Sequence, residues 1–118
     1  MEALTKTEER LMQAIWDLDR PFFVKDLLEH LPERPPYNTV SSVVRLLEKK
    51  GYLGYKAYGK TYEYYALISR EAYRKRGFRQ LLDSYFGGSP RQLLSFMAAE
   101  KQLSAEELDE LRKRIDNA

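Results

Sequence analysis

The sequence predicts a mainly α-helical chain with one small β-hairpin, followed by a second helical region. Three observations predict it. Apolar residues recur at helical spacing through the first 50 residues, the period then switches to two over an aromatic-rich stretch broken at a glycine, and beyond residue 68 the helical period returns. Of the 118 residues, 43% are hydrophobic and 32% charged, enough apolar surface for one core and too much for a disordered chain.

Leu11, Met12, Ile15 and Trp16 follow the i, i+1, i+4, i+5 spacing of a helix face, and Thr5 with Glu8 makes a capping box that satisfies two backbone donors. A first helix from Lys6 to Leu18 follows. After a turn at Asp19-Arg20-Pro21, Val24, Leu27, Leu28 and Leu31 share one side of a shorter second helix, closed by Pro32 and the Pro35-Pro36 pair. A third helix opens near Tyr37 and stops at Gly51, a C′ glycine preceded by Lys49 and Lys50, whose charges complement the negative helix end. The runs 52–57 and 61–67 alternate on either side of Tyr58-Gly59-Lys60 and read as a β-hairpin with a glycine turn. Helix, helix, helix, hairpin is the order of a winged helix-turn-helix, expected over residues 1–68.

Residues 69–118 return to helix. Ser69 caps a segment in which Phe78, Leu81, Leu82, Tyr85 and Phe86 form an apolar stripe, ended by Gly87-Gly88. Ser89-Pro90-Arg91-Gln92 starts the next helix with a cap, an N1 proline and a capping-box glutamine, and Leu93, Leu94 and Met97 supply its face. Ser104 with Glu107 repeats the box, Leu103 and Leu108 are placed as a hydrophobic staple, and Leu108, Leu111 and Ile115 form the last face. A region of about 50 residues is too small for a core of its own. Its faces are therefore expected to be buried on a second copy, which makes this a helical dimerisation region and the protein a homodimer.

The third helix carries the chemistry. At about 100° per residue, Val40, Val43, Val44 and Leu47 cluster on the core side. The opposite side holds Asn38, Ser42, Arg45 and Lys49, with Ser41 beside them and Thr39 at the N-terminal edge. Such hydrogen-bonding and cationic residues read base edges in the major groove of double-stranded DNA or hold its phosphates. On an isolated helix they are equally a solvated face; the preceding helix and following hairpin are what point to DNA. Lys56, Lys60 and Thr61 surround the hairpin tip, positioned for a phosphate or the flanking minor groove. The hairpin tyrosines, Tyr52, Tyr55, Tyr58, Tyr62, Tyr64 and Tyr65, suit either a stacking platform for single strands or ordinary strand packing. Alternation favours packing, since it sends half of them into the core and leaves Tyr58 the most exposed.

Charge is unevenly spread. Residues 1–36 hold 5 basic and 8 acidic groups, residues 37–68 hold 5 and 2, and the formal total of +2 averages over them. The basic segment coincides with the expected reading surface. Arg70, Arg74, Lys75, Arg76 and Arg79 against Glu71 make the start of the tail basic as well, either to touch phosphates or to keep an exposed helix solvated. The near-neutral total and the tyrosine-rich hairpin leave an alternative open, a winged-helix protein–protein interaction module without sequence-specific DNA binding.

Catalysis has little to draw on. With no cysteine, disulfides, zinc–thiolate sites and cysteine nucleophiles are excluded and a reducing compartment is expected. His30 is the single histidine and ends a short helix; the acid pairs Glu8-Glu9 and Glu106-Glu107 lie in first turns, where the helix dipole accounts for them. No phosphate-cradling glycine loop or metal-ligand spacing occurs, so neither enzyme activity nor a cofactor or metal is expected. No targeting segment or apolar run of membrane-spanning length is present either, and the expectation is a cytoplasmic protein with no membrane partner.

Residues 4–8 with Ile15-Trp16, the run 39–53 (TVSSVVRLLEKKGYL) and Gly59-Lys60-Thr61-Tyr62-Glu63-Tyr64 together resemble the penicillinase-repressor family, which includes methicillin-resistance and copper-responsive repressors. Phe86-Gly87-Gly88-Ser89 and the run 103–108 (LSAEEL) are similar to that family's dimerisation region, so the resemblance spans nearly the whole chain. It implies a bacterial homodimeric transcriptional repressor whose winged helices bind a palindromic operator and whose C-terminal helices dimerise. In that family the positions matching Thr39, Ser41, Ser42 and Arg45 lie on the recognition helix and those matching Lys60 and Thr61 in the wing. Antibiotic-responsive members are cut at an Asn-Phe bond on a signal from a sensor protease; the matching pair here is Ser95-Phe96, and the resemblance assigns no particular protease as partner. The copper-responsive branch binds metal through C-terminal cysteines, which this chain lacks.

Overall fold

A computed structural model describes residues 2–100 and 104–116, the side chains of Ile115 and Asp116 excepted. The elements run α1 (Lys6–Leu18), α2 (Val24–Glu29), α3 (Tyr37–Lys49), β1 (Leu53–Tyr58), β2 (Thr61–Ala66), α4 (Arg70–Tyr85), α5 (Pro90–Ala99) and α6 (Ala105–Asp116). The mainly helical class with a hairpin wing is the one the sequence predicts. Contacts divide the chain into two compact units at the Ala72–Tyr73 link, within α4.

In the first unit, Leu11, Met12, Ile15 and Trp16 of α1 are buried together with Val24 and Leu27 of α2 and Val40, Val44 and Leu47 of α3. At about 1.5–3 kcal/mol for each fully buried aliphatic side chain, this core fixes which face of α3 turns outward. The Thr5–Glu8 capping box forms in both directions, with Glu8 N donating to Thr5 Oγ1 at 3.2 Å and Thr5 N to Glu8 Oε1 at 2.8 Å. The second helix ends at Glu29 rather than Leu31: His30 N and Leu31 N donate to Leu27 O and Leu28 O, and Pro32 disfavours helical backbone at the residue before it. Gly51, at φ 88°, takes the left-handed conformation expected of the residue ending α3.

β1 and β2 pair antiparallel from Leu53↔Ala66 to Tyr58↔Thr61, leaving a two-residue loop of Gly59 and Lys60. Gly59 has φ 64°, which a glycine adopts without steric cost at the first position of such a loop. Phe22, which has no role in the sequence reading, exchanges both backbone hydrogen bonds with Tyr64, at 2.9 and 2.7 Å, and adds a one-residue third strand to the wing.

Three charged residues are used differently from their sequence reading. Lys50 does not merely neutralise the end of α3: its Nζ donates to Glu8 Oε1 at 2.6 Å and to Ala3 O at 3.2 Å. Glu8 is therefore more than a dipole-compensating acid, being 4% exposed and paired across the core edge. Arg70, read as a solvating or phosphate-binding cation, instead donates to Gln13 O and Asp17 Oδ1 of α1 and lies over the Trp16 ring at 5.9 Å. With Trp16 Nε1 donating to Ile68 O at 2.9 Å, these bonds hold the first turn of α4 to the first unit.

In the second unit, α4 ends in a left-handed pair, Gly87 at φ 56° and Gly88 at φ 77°, with Gly88 N returning to Leu82 O at 2.8 Å. Ser89 Oγ caps α5 by accepting from Gln92 N at 3.2 Å, but the predicted reciprocal bond from the glutamine does not form, because Ser89 N already donates to Phe86 O. The Ser104–Glu107 box closes in both directions. Leu103, the proposed staple residue, lies outside the described residues. Leu82 and Leu94 are buried, and the Phe86 and Phe96 rings sit 5.5 Å apart.

Candidate nucleic-acid interface

With Val40, Val44 and Leu47 at 3% exposure or less, the helical period forces the opposite face of α3 outward. Asn38, Thr39, Ser42, Arg45 and Lys49 are exposed and Ser41 is half-buried at the edge. Asn38, Ser42, Arg45 and Lys49 follow one another at spacings of four, three and four, a single stripe about 16 Å long, the rise of about five base pairs. The Ser42 hydroxyl donates to Asn38 O at 2.8 Å, so toward a ligand it presents an acceptor rather than a donor. Asn38, Thr39, Ser41 and Arg45 carry the remaining side-chain donors on or beside this stripe.

The wing stands beside this face. Tyr64 of β2 is 5% exposed, and burial pushes its hydroxyl above the ordinary phenol range against the opposing charge of Arg45. Lys56, Lys60 and Thr61 are all exposed. Lys56 differs from the other two in having a partner, its Nζ lying 5.3 Å from the centre of the Tyr58 ring. Lys60 and Thr61, at the tip, are the wing groups open to a phosphate.

Two of the six tyrosines are buried rather than the half expected from alternation, because Tyr55 and Tyr62, on the same face as Tyr64, lie farther toward the wing tip. Tyr52 and Tyr64 enter the core, and Tyr52 Oη donates to Glu2 O at 2.6 Å. Tyr55, Tyr58, Tyr62 and Tyr65 remain 41–50% exposed. Tyr55 and Tyr62 stack on one another at 4.5 Å, Tyr58 leans on Phe23, and the Tyr65 ring covers Gly54. Rings paired in this way are wing packing rather than a row of free faces for successive bases.

In the second unit, Leu82 and Leu94 are buried, and Phe86, Leu93, Met97, Leu108 and Leu111 are half-buried. Phe78, Leu81 and Tyr85 lie 51%, 39% and 78% exposed on α4. The side chain of Ile115 is outside the described set. Ser95 and Phe96 are exposed within α5, so their peptide bond sits in regular helix. Among the described residues no group of His, Asp or Glu is arranged to hold a metal ion, and no helix is long and apolar enough to cross a membrane.

Three helices with a polar third face beside a basic-tipped hairpin define a winged-helix protein. More particularly, the chain belongs to the penicillinase repressor family, whose model matches residues 4–117. It is 21% identical over 115 residues to the methicillin resistance regulatory protein MecI of Staphylococcus aureus (strain N315), spanning 96% of this chain and 93% of that protein. The same identity and coverage hold for MecI of Staphylococcus epidermidis and of Mammaliicoccus sciuri. The family is one of transcriptional regulators, and membership makes this chain a transcriptional repressor of the winged-helix type.

Proposed function

We propose that the protein is a cytoplasmic homodimeric repressor that binds an inverted-repeat operator in double-stranded DNA. The observation that carries this is the exposed stripe of Asn38, Ser42, Arg45 and Lys49 directly opposite the buried Val40, Val44 and Leu47. Asn38, Thr39, Ser41, Ser42 and Arg45 enter the major groove, Ser42 chiefly as a small acceptor, while Lys49, Lys56, Lys60 and Thr61 hold the phosphate backbone. Residues 1–68 are the DNA-binding domain and residues 69–118 the dimerisation region, where the exposed Phe78, Leu81 and Tyr85 are covered by the second copy.

A footprint over the promoter of the protein's own gene and its neighbours tests the reading. Protection is expected over two half-sites whose centres lie about one helical turn apart or a multiple of it, with affinity falling steeply as salt rises. No protection at low salt would sink the proposal. Random-sequence DNA bound no better than by a neutral protein, together with a stoichiometric protein partner, would instead favour an interaction module.

A further inference from the structure

The first unit holds a cleft that shares only Thr39 with the DNA reading. It lies between α1, the loop joining α2 to α3, and the N-terminal half of α3, with a volume of roughly 920 Å³, the size of small-molecule sites. Ala14 and Leu18, Leu31 and Pro35, and Val43 line it, apolar side chains that the fold leaves only half-buried. The loop wall is stiff, because Pro32, Pro35 and Pro36 each fix φ and Arg34 is held at φ 43° between them. A preformed wall costs an occupant little ordering entropy.

The charged groups around the cleft are Arg10 and Arg20 against Asp17 and Glu33, with His30 beside them. Asp17 lines it, but its carboxylate is already paired with Arg70. Glu33 then stands against Arg10 and Arg20. Arg10 has no ion-pair or hydrogen-bond partner among the described residues, and Arg20 reaches only the Pro21 carbonyl at 3.5 Å. An inorganic anion would leave the apolar floor wet, and a neutral apolar molecule would leave both guanidiniums unused.

We infer that the cleft is a binding site for a small anion with an apolar body. Its carboxylate or sulfonate pairs with Arg10 or Arg20, and its hydrocarbon portion packs on Ala14, Leu18 and Val43. Because Thr39 and Val43 belong to α3, an occupant presses on the helix that carries the polar stripe. Control of operator binding from this cleft rests on the DNA reading above; the existence of the site does not.

The test titrates the full chain with two fluorescent probes of related aromatic body, anionic 8-anilinonaphthalene-1-sulfonate and uncharged N-phenyl-1-naphthylamine. The sulfonate is expected to bind saturably at one per chain, about tenfold more tightly than the neutral probe. The double variant Arg10→Ala/Arg20→Ala should erase that tenfold preference while leaving the neutral probe unaffected. Ala14→Trp should block both probes, circular dichroism reporting whether it folds; if it does not, the arginine variant decides alone. Sulfonate affinity unchanged in the arginine variant would overturn the site. A bound sulfonate that leaves operator affinity unaltered would overturn the regulatory role. Failure to bind operator even without probe would sink the DNA reading instead, and the titrations would still judge the cleft.

Discussion

Glu8 is a carboxylate at the edge of an apolar core, and its partners explain why it is tolerated there. Burial alone would raise its pKa, but the Lys50 hydrogen bond, the two bonds with Thr5 and the Lys50 charge outweigh it and hold the carboxyl below the usual carboxylate range. The folded state therefore binds fewer protons than the unfolded state near that pKa. The stabilisation is present at neutral pH, above the unfolded-state value, and is lost as pH falls through the lowered folded-state value. Glu8→Gln should flatten the acid limb of stability against pH, measured by urea unfolding from pH 7 to 3. Lys50→Met should cost more at pH 7, about 3–5 kcal/mol, because it leaves a buried carboxylate uncompensated, whereas the glutamine leaves no bare charge in the core. Equal losses would show that the capping box, not the ion pair, carries the effect.

Arg45 and Lys60 separate two ways of holding DNA at the same scale. Arg45 sits on the α3 stripe, whereas Lys60 is exposed in the two-residue loop of the wing. Arg45→Ala is expected to remove about 1–3 kcal/mol of discrimination between operator and random DNA, and Lys60→Ala to weaken both alike with a salt slope reduced by about one. Competition binding at two salt concentrations distinguishes them, and an identical profile for the two variants would contradict the division of labour.

Among the elements, the hairpin depends most on a single residue. Gly59 carries positive φ at the turn with open space around it, so Gly59→Ala suffers backbone strain without a clash, costing about 1 kcal/mol in thermal or denaturant unfolding. The helices were legible because their signals are local: caps at Thr5, Ser69, Ser89 and Ser104 all accept the backbone hydrogen bonds their positions predict. The outward stripe of α3 was equally legible, since apolar residues at helical spacing dictate what faces away from them. Phe22 was not, because a single bridged residue has no period to detect, and its role exists only through Tyr64, 42 positions away in sequence.

For the whole molecule, the exposed aromatic residues of α4 bear on assembly. Phe78→Asp/Tyr85→Asp alters two positions that are 51% and 78% exposed, so the fold of each chain should survive. Sedimentation should shift from dimer to monomer, and operator affinity should fall at least about tenfold as bivalent binding is lost. A double variant that still sediments as a dimer would move the interface elsewhere. The cleft tests whether the same molecule also takes a small ligand, a feature invisible in sequence because its walls come from three separate stretches.

The sequence by itself determined the order of elements, most of the buried stripe of each helix of the first unit, Leu28, Leu31 and Val43 proving only half-buried, and the separation of a −3 front segment from a +3 segment of third helix and wing. Those properties follow from spacing and composition within one stretch of chain. Only the tertiary structure decided that Lys50 serves Glu8, that Arg70 pairs with Asp17, and that Arg10 and Arg20 stand over a cleft with a partly apolar lining. A charge acquires its role from what burial places beside it, and for these residues the neighbours lie in other elements of the chain.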